Sequence, residues 1–143
     1  MVNDAPMFRI RYATQEDKSF WFTLDRHMNA ESFDLKVRDK QGYIISDADK
    51  PIGILRYSLF WDNTPFVNLI ELHESYYKKG FGTQAMKQWE NEMQNLGYKL
   101  VMTSTQSNEL AQHFYRKLGY KDSGCLLLDK EPTEILFVKY FDE

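Results

Sequence analysis

One helix-like stretch constrains the fold of this chain more than any other feature. Between residues 81 and 96, apolar side chains recur every three or four positions, at Ala85, Met86, Trp89, Met93 and Leu96. This spacing predicts an amphipathic helix that faces a core, and the glycine that follows is typical of a helix end. Strand-like runs flank the stretch on both sides. We therefore expect two parallel strands joined by a right-handed helical crossover.

The remaining pattern predicts the other elements. Strands are expected at residues 8–12, 42–45, 52–61, 66–72, 98–103, 120–128 and 134–141. Thr14 is expected to cap a first helix, and a short second helix falls within 26–40. Ser107 is expected to cap a helix that ends at Gly119 and carries one apolar stripe, formed by Leu110, Ala111, Phe114 and Leu118. The order is β-α-α-β-β-β-α-β-α-β-β. This predicts an α/β (α+β) domain over residues 1–143, with a mixed central sheet of about seven strands and about four flanking helices.

Composition excludes several classes of function. The hydrophobic fraction of 43% and charged fraction of 27% fit one soluble domain. Lys and Arg number 18 against 21 Asp and Glu, so no positive field favours nucleic acid. One cysteine and three scattered histidines predict neither a disulfide nor a metal site. The chain shows no membrane span and no signal-peptide pattern, so we expect a cytoplasmic protein without a membrane partner.

A glycine-rich turn precedes the strongest helix. Its residues are Tyr77, Lys78, Lys79, Gly80, Phe81, Gly82 and Thr83. The first amides of a helix lack intrahelical partners, and glycines let an anion approach the backbone closely. The turn also fits the dinucleotide pattern G-x-G-x-x-A. That motif, however, follows a first parallel strand and requires an acidic residue about 20 positions later, and this chain has neither.

The chain resembles the GCN5-related N-acetyltransferase (GNAT) family. Gly80 and Gly82 match the glycines of its [QR]-x-x-G-x-[GA] signature, and Asn108 matches the asparagine that opens a later helix. The segment from Phe114 to Tyr120 is similar to the family's F-Y-x-x-x-G-[FY] motif. The element order agrees over almost the whole chain. Tyr77 departs from the pattern, because it stands where the family has Gln or Arg.

The resemblance implies an acetyl-CoA-dependent N-acetyltransferase of the EC 2.3.1 class. The backbone of residues 77–83 would hold the coenzyme A pyrophosphate, with Lys78 and Lys79 as substitutes for the missing Gln or Arg. Leu72 would pair its backbone with the pantetheine arm and offer its N–H to the thioester oxygen. Asn108 would bond the same arm. Tyr115 would contact the coenzyme as well.

The chemistry requires an acid for the departing sulfur and a base for the amine. The resemblance makes Tyr115 the candidate acid. Strand alternation places Asn68 on the face of Leu72 and Glu71 on the opposite face, where Glu71 would be an ordinary solvated or paired acid. Water organised by Asn68, Thr103 or Ser104 is the preferred base, and Glu71 is the nearest carboxylate.

The acceptor is expected to be a small polyamine-like or aminoglycoside-like amine. Its pocket would come from residues 26–40, the turn at 60–65 and the last strand pair, with acids and aromatics at Glu31, Asp34, Asp62, Glu134, Phe33, Tyr57, Phe60 and Trp61. The chain would be a monomer or a homodimer. The alternative function is a non-catalytic module that binds or senses coenzyme A with a degenerate GNAT site.

Overall fold

The computed structural model describes residues 8–142. Within this range the elements follow the predicted order: β1 (Phe8–Tyr12), α1 (Lys18–Leu24), α2 (Ala30–Arg38), β2 (Gly42–Asp47), β3 (Lys50–Phe60), β4 (Thr64–Leu72), α3 (Phe81–Asn95), β5 (Leu100–Gln106), α4 (Ala111–Lys117), β6 (Lys121–Leu126) and β7 (Glu134–Tyr140). Two 3-10 turns precede α1 and α3, at Gln15–Asp17 and Glu74–Tyr76. Thr14 caps the 3-10 turn Gln15–Asp17 through a capping box with Asp17, whereas Asp17 stands at the cap position of α1, so the predicted cap lies one turn before the helix.

The strands form one mixed sheet in the order β1-β2-β3-β4-β5-β7-β6. The pairs β1–β2, β2–β3, β5–β7 and β6–β7 are antiparallel. Strands β4 and β5 are parallel, with Phe66 opposite Met102 and Val67 opposite Thr103. The predicted fold class is confirmed, including the parallel pair that α3 connects.

The described residues fall into two compact units. Unit 1 comprises residues 8–57 and Leu69–Trp89. Trp21 of α1 and Phe33 of α2 are fully buried there, with ring centroids 5.4 Å apart, beside Ile44 of β2 and Ile54 of β3. Their apolar faces give α1 and α2 a common core with the first strands.

Unit 2 comprises residues Ser58–Asn68 and 90–142. Tyr115, Tyr120 and Phe137 are buried in it. The buried Glu90 carboxylate accepts hydrogen bonds from the Tyr120 hydroxyl at 2.7 Å and from Lys139 Nζ at 2.7 Å. A buried charge requires such partners. The bonds from Tyr120 and Lys139 therefore allow Glu90 to be buried beside the aromatic core.

The start of α4 differs from the prediction. Ser107 does not cap the helix, because α4 begins at Ala111 with Leu110 at the cap position. The Glu109 carboxylate instead accepts bonds from the Gln106 N–H at 3.0 Å and the Thr105 hydroxyl at 3.2 Å, which holds the chain in a turn before the helix. Leu110 is 83% exposed, so the predicted apolar stripe was wrong at that position. The helix buries Tyr115 instead.

Some predicted boundaries also moved. Strand pairing of Ser46 with Pro51 and Asp47 with Lys50 extends both β2 and β3 and leaves a two-residue turn. Leu96 lies beyond the end of α3 and is exposed. Of the helices in residues 8–142, none has the length and apolar character needed to cross a membrane.

Candidate active site

The glycine turn ends at the N-terminus of α3, in unit 1. The Gln84 N–H donates to the Gly80 carbonyl at 3.1 Å. The N–H groups of residues 81–83 therefore lie before the first hydrogen bond of the helix. Gly80 has φ of +85°, and no atom lies within 4 Å of the position that a Cβ would take. Lys78 also has a positive φ, of 61°. Amides without an intrahelical partner at the start of a fifteen-residue helix, open space at Gly80 and two lysines fit an anionic group such as a pyrophosphate.

Tyr77 lies in the same turn, but its hydroxyl contacts β4. It donates a hydrogen bond of 2.6 Å to Glu71 Oε2. This bond to a carboxylate, with the charge of that carboxylate, raises the pKa of Tyr77 to about 12. Tyr77 thus stands at the sequence position where the family has a phosphate-binding Gln or Arg, but its hydroxyl is bonded to Glu71.

An open cavity of about 510 Å³ lies beside this pair. One wall is the end of α1 and the loop after it, formed by Thr23, Leu24, Arg26 and His27. The other wall is the end of β4 and the chain that follows, formed by Leu69, Glu71, Leu72, His73, Glu74 and Tyr77. Strand alternation predicted that Glu71 and Leu72 point to opposite sides. We name this cavity the unit 1 cavity. Both residues line it, because it lies at the end of the strand.

A buried carboxylate anchors the first of these walls. Asp25 Oδ2 accepts bonds from Trp21 Nε1 at 3.0 Å and Arg56 Nε at 2.8 Å, and its Oδ1 accepts the His27 N–H at 3.0 Å. Burial alone would raise the pKa of Asp25, but the bonds from His27 and Arg56 outweigh it and hold that pKa below its usual range. The bond to His27 ties down the turn that brings Arg26 to the cavity.

Tyr115, the predicted acid, is placed in unit 2. It is 5% exposed and makes an edge-on contact with Tyr120, at a centroid distance of 5.7 Å. Burial raises the pKa of Tyr115 to about 12, against the smaller opposite effect of a hydrogen bond with Thr103. The Thr103 hydroxyl in turn donates to the Val67 carbonyl at 3.0 Å. Asn108 lies exposed in the turn before α4.

A second cavity of about 300 Å³ lies in unit 2. It is mostly apolar and is lined by Ser58, Phe60, Phe66, Asn68, Ser104, Leu126 and Leu136. Asn68 and Ser104, two of the residues predicted to organise water, share this cavity, and Ser104 Oγ donates to Glu134 Oε2 at 2.6 Å. Thr103, the third, is buried and its hydroxyl is bonded to the backbone.

The residues predicted to form the acceptor pocket do not all lie in one place. Phe33 and Tyr57 are buried in the core of unit 1, whereas Trp61 is 81% exposed. Sequence reasoning missed Asp25, although its position four residues after Trp21 places the two side chains on one face of a helix. Within residues 8–142, no group of three or more His, Cys, Asp and Glu side chains is arranged to hold a metal ion.

Solved structures share this fold. Ard1 from Thermoplasma volcanium is 15% identical, with 95% of this chain and 99% of that chain aligned and a TM-score of 0.82. A GNAT family acetyltransferase from Bacillus cereus ATCC 10987 is 20% identical over 96% and 99% of the two chains, with a TM-score of 0.75. A GNAT family acetyltransferase from Elizabethkingia anophelis with acetyl-CoA bound is 17% identical over 94% and 98%, with a TM-score of 0.73. No curated protein matches this chain.

The sequence itself also matches a family. The model of the acetyltransferase (GNAT) family aligns with residues 7–120, which include β4, the glycine turn, α3 and α4. The resemblance seen in the motifs and the predicted enzyme class are confirmed by this match. The chain belongs to the GNAT acetyltransferase family.

Proposed function

We propose that this protein transfers the acetyl group of acetyl-CoA to a primary amine of a small molecule, such as a polyamine-like or aminoglycoside-like compound. The observation that carries the proposal is the unit 1 cavity, in which Glu71 and Leu72 line one open space. A second acid, Glu74, lines the same space and favours a cationic acceptor.

The coenzyme side of the proposal rests on the glycine turn. The amides of residues 78–83 would hold the pyrophosphate, since the positive end of α3 and two lysines favour negative charge there. The Leu72 N–H would donate to the thioester oxygen as negative charge develops on it, and Asn108 would bond the pantetheine arm. Acetyl-CoA supplies the activated acyl group, and the residues named here orient it.

The acceptor amine must lose a proton before its nitrogen can form the new C–N bond. Of the two acids that line the cavity, Glu71 is adjacent to Leu72 in β4, so we assign it as the group that accepts this proton. Asn68, Thr103 and Ser104 are less suited, because Thr103 is buried and Ser104 is bonded to Glu134. The C–S bond then breaks, and the sulfur leaves as a thiolate, which takes up the second proton that the nitrogen loses as the amide forms.

Tyr115 would act on that sulfur. With a pKa of about 12 its hydroxyl stays protonated at any working pH. A thiol has a pKa of about 8.5, so complete proton transfer from this phenol is unfavourable. Tyr115 therefore serves as a hydrogen-bond donor that stabilises the developing thiolate, which is a weaker role than that of a full acid.

The alternative is a module that binds coenzyme A without turnover. The burial of Tyr115 and the bond of its hydroxyl with Thr103 favour it, because a core tyrosine explains both without any catalytic role. The two functions differ in one measurable property: only the enzyme acetylates an amine.

The test combines binding with turnover. Calorimetry with coenzyme A and a thiol-release assay over a panel of polyamines, aminoglycosides and amino acids are applied to the wild type and to Glu71→Gln and Tyr115→Phe. We expect both variants to retain coenzyme affinity. Their kcat should fall by about tenfold or more, since each loses a charged or charge-stabilising hydrogen bond.

The control is Glu16→Gln, which removes an exposed carboxylate of the 3-10 turn before α1. Coenzyme binding without acetylation of any amine would favour the alternative module. Wild-type turnover in Glu71→Gln would remove this residue from the mechanism, and wild-type turnover in Tyr115→Phe would remove the tyrosine.

A further inference from the structure

Tyr77 occupies the position at which the family signature has Gln or Arg, yet its contacts differ from those that the position implies. Its hydroxyl donates a 2.6 Å hydrogen bond to Glu71 Oε2. Both side chains line the unit 1 cavity. The bond joins the end of β4 to the turn before α3, so two parts of the backbone determine where this carboxylate lies.

We propose that Tyr77 is a positioning residue for Glu71, holding its carboxylate at the wall of the unit 1 cavity, and is not a ligand of the coenzyme phosphates. The inference rests on the proposed function, because it concerns the group that accepts the proton of the amine. A phenol at 2.6 Å from one carboxylate oxygen leaves the second oxygen of Glu71 available for the acceptor.

Other charged or titratable groups line the cavity, and their influence must be separated from that of the Tyr77 hydroxyl. They are Arg26 and His27 from the loop after α1, and His73 and Glu74 from the chain after β4. The His73 side chain is itself engaged, since its Nδ1 lies 2.7 Å from Ser75 Oγ. The decisive comparison therefore changes one hydroxyl and leaves all four of these residues in place.

Tyr77→Phe makes that change, and Tyr76→Phe is the matched control. Tyr76 is the neighbouring tyrosine, and its ring packs edge-on against Phe81 at 5.3 Å. We expect Tyr77→Phe to keep the coenzyme A Kd within about twofold of the wild type, while kcat/KM for the amine falls about tenfold near neutral pH. Tyr76→Phe should leave both quantities unchanged.

A titration tests the contact without any turnover. The pKa of Tyr77, about 12 in the presence of Glu71, should return toward the ordinary value of about 10 in Glu71→Gln. NMR of the tyrosine ring carbons follows this titration, and the signal that disappears in Tyr77→Phe identifies the residue. In the Glu71→Gln background, Tyr77→Phe should cause no further loss of activity, because the two residues act as one unit.

Three results would overturn the inference. They are an unchanged titration of Tyr77 in Glu71→Gln, a loss of coenzyme affinity in Tyr77→Phe with an unchanged kcat/KM for the amine, and identical behaviour of Tyr77→Phe and Tyr76→Phe. If the wild type acetylates amines in the last case, the proposed function stands and only the role of Tyr77 is wrong. If the wild type acetylates none, the proposed function fails with the positioning role, and the titration still shows whether Tyr77 and Glu71 are coupled.

Discussion

The buried carboxylate of Asp25 carries the largest stability effect that we expect from one substitution. Its side chain is 0% exposed and accepts three hydrogen bonds, and its partner Arg56 is 14% exposed. Asp25→Ala leaves the arginine charge, the Trp21 N–H and the His27 N–H without their acceptor. Removing one partner of a buried pair costs about 3–5 kcal/mol, a large share of the 5–15 kcal/mol that stabilises a typical domain.

Urea denaturation measures this loss. With a slope of about 2 kcal/mol per molar urea, the midpoint should fall by about 1.5–2.5 M. The control is Asp122→Ala, which breaks the exposed pair with Arg116 at 2.9 Å and should leave the midpoint unchanged. Arg56→Met in the Asp25→Ala background should recover part of the loss, because it removes the uncompensated charge.

The effect should also depend on pH in one direction. The pKa of Asp25 is held below its usual range in the folded state, so its contribution is fully present above the unfolded value of about 3.9. The contribution is lost as the pH falls through the lower folded value. The gap between wild type and Asp25→Ala should be constant from about pH 5 to 8 and should shrink below about pH 4. A midpoint that falls no further than in Asp122→Ala, or a gap that persists at low pH, would refute the reasoning.

Three further predictions concern single contacts. A Cβ at Gly53 would lie 2.6 Å from Leu72 Cδ2 and 2.8 Å from the Glu71 carbonyl, so Gly53→Ala should displace the end of β4. The substitution should lower the free energy of unfolding by about 1–3 kcal/mol and weaken coenzyme A binding in calorimetry. Unchanged affinity would contradict the role of Leu72. Tyr120→Phe leaves the buried Glu90 with one donor fewer and should lower that free energy by about 1–2 kcal/mol in urea, and an unchanged midpoint would contradict this. Ser107→Ala should not change the melting temperature, since Ser107 does not cap α4, and a drop of several degrees would show that it does.

Much of the fold could be predicted from local pattern. The apolar period of α3, the glycine after it and the alternation of the first strands are all properties of adjacent residues. The error at α4 occurred where two local signals competed. At α4, Ser107 is a good cap by type, but the Glu109 carboxylate took up the amide of Gln106 and delayed the helix to Ala111.

The site was predictable to a smaller degree. The glycine turn could be recognised because it is a run of consecutive residues before a helix. The pairing of Tyr77 with Glu71 could not, because residues six apart on either side of a 3-10 turn have no fixed geometry in sequence. Alternation along the strand also did not show that Glu71 and Leu72 line the same cavity.

The sequence by itself determined the element order, the fold class and the position of the glycine turn before α3. These follow from hydrophobic periodicity and from glycines at positions of restricted backbone conformation, which are local properties. Only the tertiary structure decided which side chains share a cavity, that Asp25 anchors its wall, and that Tyr115 is buried. Those outcomes depend on contacts between residues far apart in the chain, and such contacts form only when the elements pack.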